Sequence, residues 1–298
     1  MSVNWTELLT VDCSMFSGQF NKQADQKTGK INIRGFTIPF VGNQQKFNRL
    51  MNYLDKQLRA YVFPESEINE QTWRKARDKF GNNNPEYDGK LGEMLLYIFV
   101  EAILGTPLMA YKLKDLGNPN DQVKGADGIF VGTYEGKRAL LIGESKIHCD
   151  FKGAIKSAIE SIQRFHDGYG PYSNELSIAK KFPRERELNQ ELLEETMRLL
   201  NEDYEILVHP VFISYSLDAI SNISQKSSDK HEAENALRAH FETEINSLNQ
   251  KILSHKNTYP KPYEVCLDFF FLPVEDCLKL RSNFYELLHG CPYEVPKK

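Results

Sequence analysis

Two carboxylates and a lysine, Asp127, Glu144 and Lys146, stand in the stretch of this chain whose residue types and spacing best describe a reaction centre. They lie near the two ends of the segment GADGIFVGTYEGKRALLIGESK (125–146), which reads as a β-hairpin: two apolar-rich runs around a polar Tyr-Glu-Gly-Lys-Arg turn. If the turn holds an even number of residues, Asp127 lies opposite Glu144 or Lys146. Opposed residues share a sheet face with Cβ atoms about 4.5–5.5 Å apart, and Glu144 and Lys146 share a face through the two-residue period of a strand. The three then converge and Ser145 points away; an odd count would break the convergence. Carboxylates that close repel by about 1 kcal/mol in water and about 4 kcal/mol at an effective dielectric of 20. Glu93, early in an apolar helix upstream, offers a third acid. Three acids and one lysine complement one divalent cation, and oxygen ligands favour Mg²⁺ or Mn²⁺ over zinc. Such a site polarises a phosphodiester and holds a water, while the lysine orients that water or stabilises transition-state charge.

The elements that must position these residues follow from periodicity. Over 91–104, Leu91, Met94, Leu95, Ile98, Phe99 and Ala102 make one helical stripe, and Leu96, Tyr97, Val100 and Leu104 make the other side apolar too. A helix apolar nearly all round is a buried one. A strand (108–113), the polar loop KDLGNPNDQVK (114–124), the hairpin, a helix (153–166) with an Ala154, Ile155, Ala158, Ile159, Ile162 face, and a nearly continuous apolar strand (205–215) come next. Before them lie a strand-like piece from Ile31 to Phe40 and a helix after Asn43. After them come a helix within 185–203, the loop SNISQKSSDK (221–230), a charged helix (231–255), a strand (264–272) and a closing helix (274–289). The expected architecture is one elaborated α/β domain with a mixed central sheet flanked by helices. Its catalytic core spans about 88–216, with an N-terminal extension (1–87) and a C-terminal one (217–298).

An aspartate followed some seventeen residues later by Glu-x-Lys resembles the active-site pattern of the PD-(D/E)-x-K nucleases. The order helix, three strands, helix, strand is also their core. The proline usual before the motif aspartate is absent, Gly125-Ala126 standing there instead. The blocks LGEMLLYIF (91–99), GADGIFVG (125–132) and LLIGESK (140–146) are similar to those of the HamA family, the nuclease subunits of the Hachiman anti-phage defence system. The resemblance implies a restriction-endonuclease-like fold and a metal-dependent DNA endonuclease that works with a superfamily 2 helicase, HamB. It also implies that Asp127 and Glu144 hold Mg²⁺ (or Mn²⁺), that Lys146 is the catalytic lysine, and that Glu93 is a supporting acid.

Lys152, Lys156, Gln163 and Arg164, on the polar side of the 153–166 helix, are candidates for DNA contact, against the plainer reading of a solvated face. With 37 Lys and Arg against 41 Asp and Glu, the net charge of −4 argues against coating nucleic acid by bulk charge. Five cysteines without a C-x-x-C pair give neither a disulfide framework nor a zinc ribbon. No run approaches the roughly 18 apolar residues of a membrane span and no signal-like start is seen, so a reducing cytoplasm is expected. G-x-S-x-G, the P-loop and G-x-G-x-x-G are all missing, which leaves ATP use to a partner. The competing readings are a non-catalytic adaptor that docks a helicase or DNA, and a stand-alone nuclease acting on RNA or damaged DNA.

Overall fold

The computed structural model describes residues 3–62, 72–81, 84–110, 126–167, 176–177, 179–180 and 188–294. A 3₁₀ turn (Trp5–Leu8) and α1 (Cys13–Phe16) precede β1 (Asn21–Thr28), β2 (Ile31–Thr37), β3 (Phe40–Val41) and β4 (Gln44–Gln45). The helices α2 (Asn48–Val62), α3 (Thr72–Phe80) and α4 (Lys90–Phe99) follow, α4 running on into a π-helical turn (Val100–Leu104). Then come β5 (Leu108–Ala110), β6 (Gly128–Tyr134), β7 (Lys137–His148), α5 (Phe151–Asp167), α6 (Gln190–Leu200) and β8 (Ile206–Ser216). The chain closes with α7 (Asp218–Lys226), α8 (Lys230–Ser254), a 3₁₀ turn (Lys261–Glu264), β9 (Cys266–Val274) and α9 (Cys277–His289). The loop expected at 114–124, Gly125, and the end of the strand expected at 108–113 lie outside the described residues.

A seven-stranded mixed sheet runs in the order β1-β2-β9-β8-β7-β6-β5. The central strands β2, β9, β8 and β7 are mutually parallel, while β1 at one side and β6 and β5 at the other are antiparallel to their neighbours. The parallel strands are apolar on both faces because helices cover both. Val211 and Ile213 of β8, with Phe269 and Phe271 of β9, pack under α5 and α8. Phe212, Phe270 and Leu272 face the opposite core, with α2, α4 and α9.

Two elements depart from the sequence expectation. SNISQK is helical rather than loop, forming most of α7, because Ile220 is fully buried in a small core with Phe40, Ala233 and Leu237, and Ile223 packs against it. The polar strand β1 (NKQADQKT) carries no apolar alternation; it is an edge strand held by its ladder with β2. The sheet also curls: the β6–β7 turn reaches back to the far side, where Glu135 pairs with Lys27 and Asn32 donates to the Tyr134 hydroxyl. Tyr134 in turn donates to Asp268, which Arg34 grips with two nitrogens at 2.8 and 3.0 Å.

Candidate active site

The hairpin turn is two residues long. Tyr134 pairs with Lys137, and Glu135 (φ 51°) and Gly136 (φ 76°) both take the left-handed conformation that a tight hairpin with right-handed twist requires. The count is even, and Gly128 pairs with Gly143. Strand β7 continues beyond the hairpin alongside β8, with Glu144 beside Val211, Ser145 beside Phe212 and Lys146 beside Ile213. Glu144 and Lys146 therefore lie on the α5 face, and Ser145 on the α4 face. There Gly92 of α4 comes so close that a Cβ would stand 3.0 Å from the Ser145 hydroxyl.

The Lys146 ammonium donates to Glu144 Oε1; the Glu144 side chain is 8% exposed and that of Lys146 28%. Asp127, also buried, departs from the ladder. Its N–H donates to Gly143 O at 2.9 Å, one residue out of step with the pairing that begins at Gly128. Its Oδ2 accepts the Ser145 N–H and the Ser145 hydroxyl, both at 2.7 Å. The expected arrangement, Asp127 across from Glu144 or Lys146 with Ser145 pointing away, is replaced by another: Ser145 points to the α4 face and Asp127 turns to meet it. Glu93 is buried in the first turn of α4, next to Gly92.

The expected cradle of three carboxylates is not preassembled. Among the described residues no group of three or more His, Cys, Asp or Glu side chains is placed to hold a metal ion. Oδ2 of Asp127 is committed to Ser145 and Oε1 of Glu144 to Lys146. The donor chemistry nevertheless fits a hard divalent cation. Mg²⁺ is commonly held by one or two carboxylates and completes its shell with water and substrate phosphate.

On α5, Lys152 and Arg164 are exposed, and Lys156 pairs with Glu160 at 3.7 Å. The Gln163 amide is engaged within the protein: it donates to both Asp167 oxygens at 3.1 and 3.0 Å and accepts the Lys261 N–H at 3.1 Å. Arg281 of α9 escaped the sequence reading, having no local pattern. It donates to Ile147 O at 2.6 Å, just past Lys146, and to the carbonyls of Pro85 and Glu86, so it ties the end of β7 to the loop before α4. Burial pushes its guanidinium pKa down.

A histidine pair lies one step back along the same strands. His209 of β8 is fully buried, and its Nδ1 faces Ile142 O at 2.8 Å, which makes Nδ1 the protonated nitrogen. Its Nε2 then accepts from Nε2–H of His166 at 2.9 Å. Burial, and secondarily the neighbouring His166, push the His209 pKa down to about 3; burial also lowers that of His166. The unfolded chain takes up this proton near pH 6.5, so folding stability falls as pH drops from about 6.5 towards 3, by up to about 1.4 kcal/mol per pH unit. His209→Gln should flatten the acid limb of the melting temperature plotted against pH. Parallel limbs in the two proteins would contradict this.

By fold and site the molecule is an α/β protein with a buried glutamate and its lysine partner on the outgoing end of a central strand, and a buried aspartate bonded to the serine between them. A HamA family model matches residues 15–288, and the chain belongs to the HamA family. Membership suggests a role in Hachiman anti-phage defence and, through that system, a helicase partner. No curated protein matches the chain. Among the described residues no helix is long and apolar enough to cross a membrane.

Proposed function

We propose that this chain is a Mg²⁺-dependent DNA endonuclease of the PD-(D/E)-x-K type, the effector subunit of a Hachiman complex with a superfamily 2 helicase. The observation that carries the reading is the position of Asp127. Its carboxylate is bonded to the residue between Glu144 and Lys146, so an aspartate 17 residues upstream of the Glu-x-Lys triplet is drawn to it. The order α4, β5, β6, β7, α5, β8, with α6 inserted before β8, supports the same reading, since it contains the helix, three strands, helix, strand core of that nuclease class. Family membership supports the defence role.

A bound Mg²⁺ would supply Lewis acidity at a phosphodiester oxygen and lower the pKa of the attacking water. Asp127 and Glu144 would hold it. Lys146, whose ammonium is held beside Glu144 yet keeps partial exposure, would meet the negative charge that develops on the phosphorus oxygens. Glu93 would support the site from α4. The exposed Lys152 and Arg164 offer phosphate contacts along α5, and the acidic total leaves the grip on the duplex to the partner. The test is cleavage of supercoiled and linear DNA by the purified chain, with and without its helicase, in Mg²⁺ and in chelator, with RNA in parallel. Cleavage of DNA that needs Mg²⁺ is expected. Helicase binding without cleavage under any condition would make the chain an adaptor instead, and preference for RNA would overturn the substrate.

A further inference from the structure

Asp127 enters the site at the frayed end of β6. Its N–H bonds Gly143 O one residue out of register with the ladder, so the regular pairing does not dictate where its side chain points. Ser145 does. The backbone N–H and the hydroxyl of this one residue both donate to the same oxygen, Oδ2, at 2.7 Å. Two donors from one rigid strand residue fix the carboxylate against rotation about its own axis. The hydroxyl is itself seated by α4, where an added Cβ at Gly92 would come within 3.0 Å of Oγ and 3.4 Å of Ser145 Cβ. The helix backbone thus passes close to the hydroxyl that holds the carboxylate.

We propose that Ser145 is the positioning residue of the site: with Gly92 leaving room for it, its hydroxyl orients the Asp127 carboxylate for the divalent cation. This rests on the reading of Asp127 as a metal ligand. Hydrogen-bond partners of metal ligands typically change metal affinity by about 10–100-fold when removed. Ser145 acts through Asp127 and is not a catalytic residue.

The probe is Mn²⁺, titrated into the full-length chain and followed by loss of the free-ion electron paramagnetic resonance signal. Parent, Ser145→Ala, Gly92→Ala, the double variant and Asp127→Ala are compared. Ser145→Ala should raise the Mn²⁺ Kd about tenfold and shift the metal dependence of cleavage in parallel, with KM for DNA unchanged. Gly92→Ala removes no hydrogen-bonding atom but crowds Oγ, and should weaken Mn²⁺ binding in the same direction although alanine is the better helix former. The double variant should be no weaker than Ser145→Ala alone, because the crowded atom is gone. Unchanged Mn²⁺ affinity in Ser145→Ala, beside Asp127-dependent binding in the parent, overturns this inference and leaves the nuclease reading standing. No Asp127-dependent binding in the parent overturns both. Should Ser145→Ala not fold, Gly92→Ala decides: parent-like affinity overturns the inference.

Discussion

Glu144→Gln is expected to slow DNA cleavage by at least about 10²–10³-fold, the scale seen when a charge-stabilising group is removed from a reaction centre, while leaving the protein at least as stable as the parent. The amide keeps the shape of the side chain and can still accept from Lys146, but it no longer carries the charge a cation needs. It also ends the burial of a carboxylate that is only 8% exposed. Lys146→Ala is expected to slow cleavage to a similar degree with the opposite effect on stability. It strips the ammonium from Glu144 and leaves a buried charge without its nearest cation. Breaking a fully buried pair costs about 3–5 kcal/mol; here the lysine is 28% exposed, and screening reduces the loss to about 1–2 kcal/mol. Single-turnover cleavage rates and denaturant unfolding of the two variants check both halves. Cleavage within a few-fold of the parent in either variant would remove these residues from the reaction. A Glu144→Gln protein less stable than Lys146→Ala would refute the account of the pair.

The second large effect is structural and lies on the π-helical turn that ends α4. Glu101 is completely buried, and its carboxylate accepts from Thr10 N at 2.7 Å, Thr10 Oγ1 at 3.2 Å, Val11 N at 3.0 Å and Leu108 N at 3.0 Å. One side chain thus staples the N-terminal segment and the start of β5 onto the helix. Trp5, Leu8, Val11 and Phe16, all buried in the core beside α4, depend on that attachment. Glu101→Ala leaves several buried donors without an acceptor, at about 1–3 kcal/mol each. A total loss of about 3–5 kcal/mol, or about 10 °C in melting temperature, is expected. Limited proteolysis should cut near residue 10 in the variant before it cuts the core. Glu101→Gln should also be destabilised, because its NH₂ group would face an N–H. A variant that melts with the parent would show that apolar packing alone holds the segment.

Much of the architecture was legible along the chain. The buried helix 91–104, the hairpin, the strands at 206–216 and 266–274 and the closing helix all appear where periodicity puts them, because each is built from a pattern repeating over two to four residues. The edge strand β1 was not legible. It is polar on both faces, and its place is set by pairing with β2 rather than by any pattern of its own. The helix α7 was read as a serine-rich loop because two isoleucines among polar residues make a faint stripe; the small core around Phe40 is what holds it.

At the site the division has the same cause. The chain by itself placed the turn within Tyr-Glu-Gly-Lys-Arg but left its length open; the structure makes it Glu135-Gly136 and so sets the register. The chain did determine that Glu144 and Lys146 share a face, because that follows from the two-residue period of a strand alone. Only the tertiary structure decided the rest. Asp127 turns to Ser145, 18 residues away; Glu101 holds Thr10 from 91 residues away; and Arg281 caps Ile147 across 134. His166 meets His209 only because α5 packs back on β8. Such contacts depend on how helices dock and how the sheet curls, and a partner that distant leaves no periodic mark beside the residue it will touch.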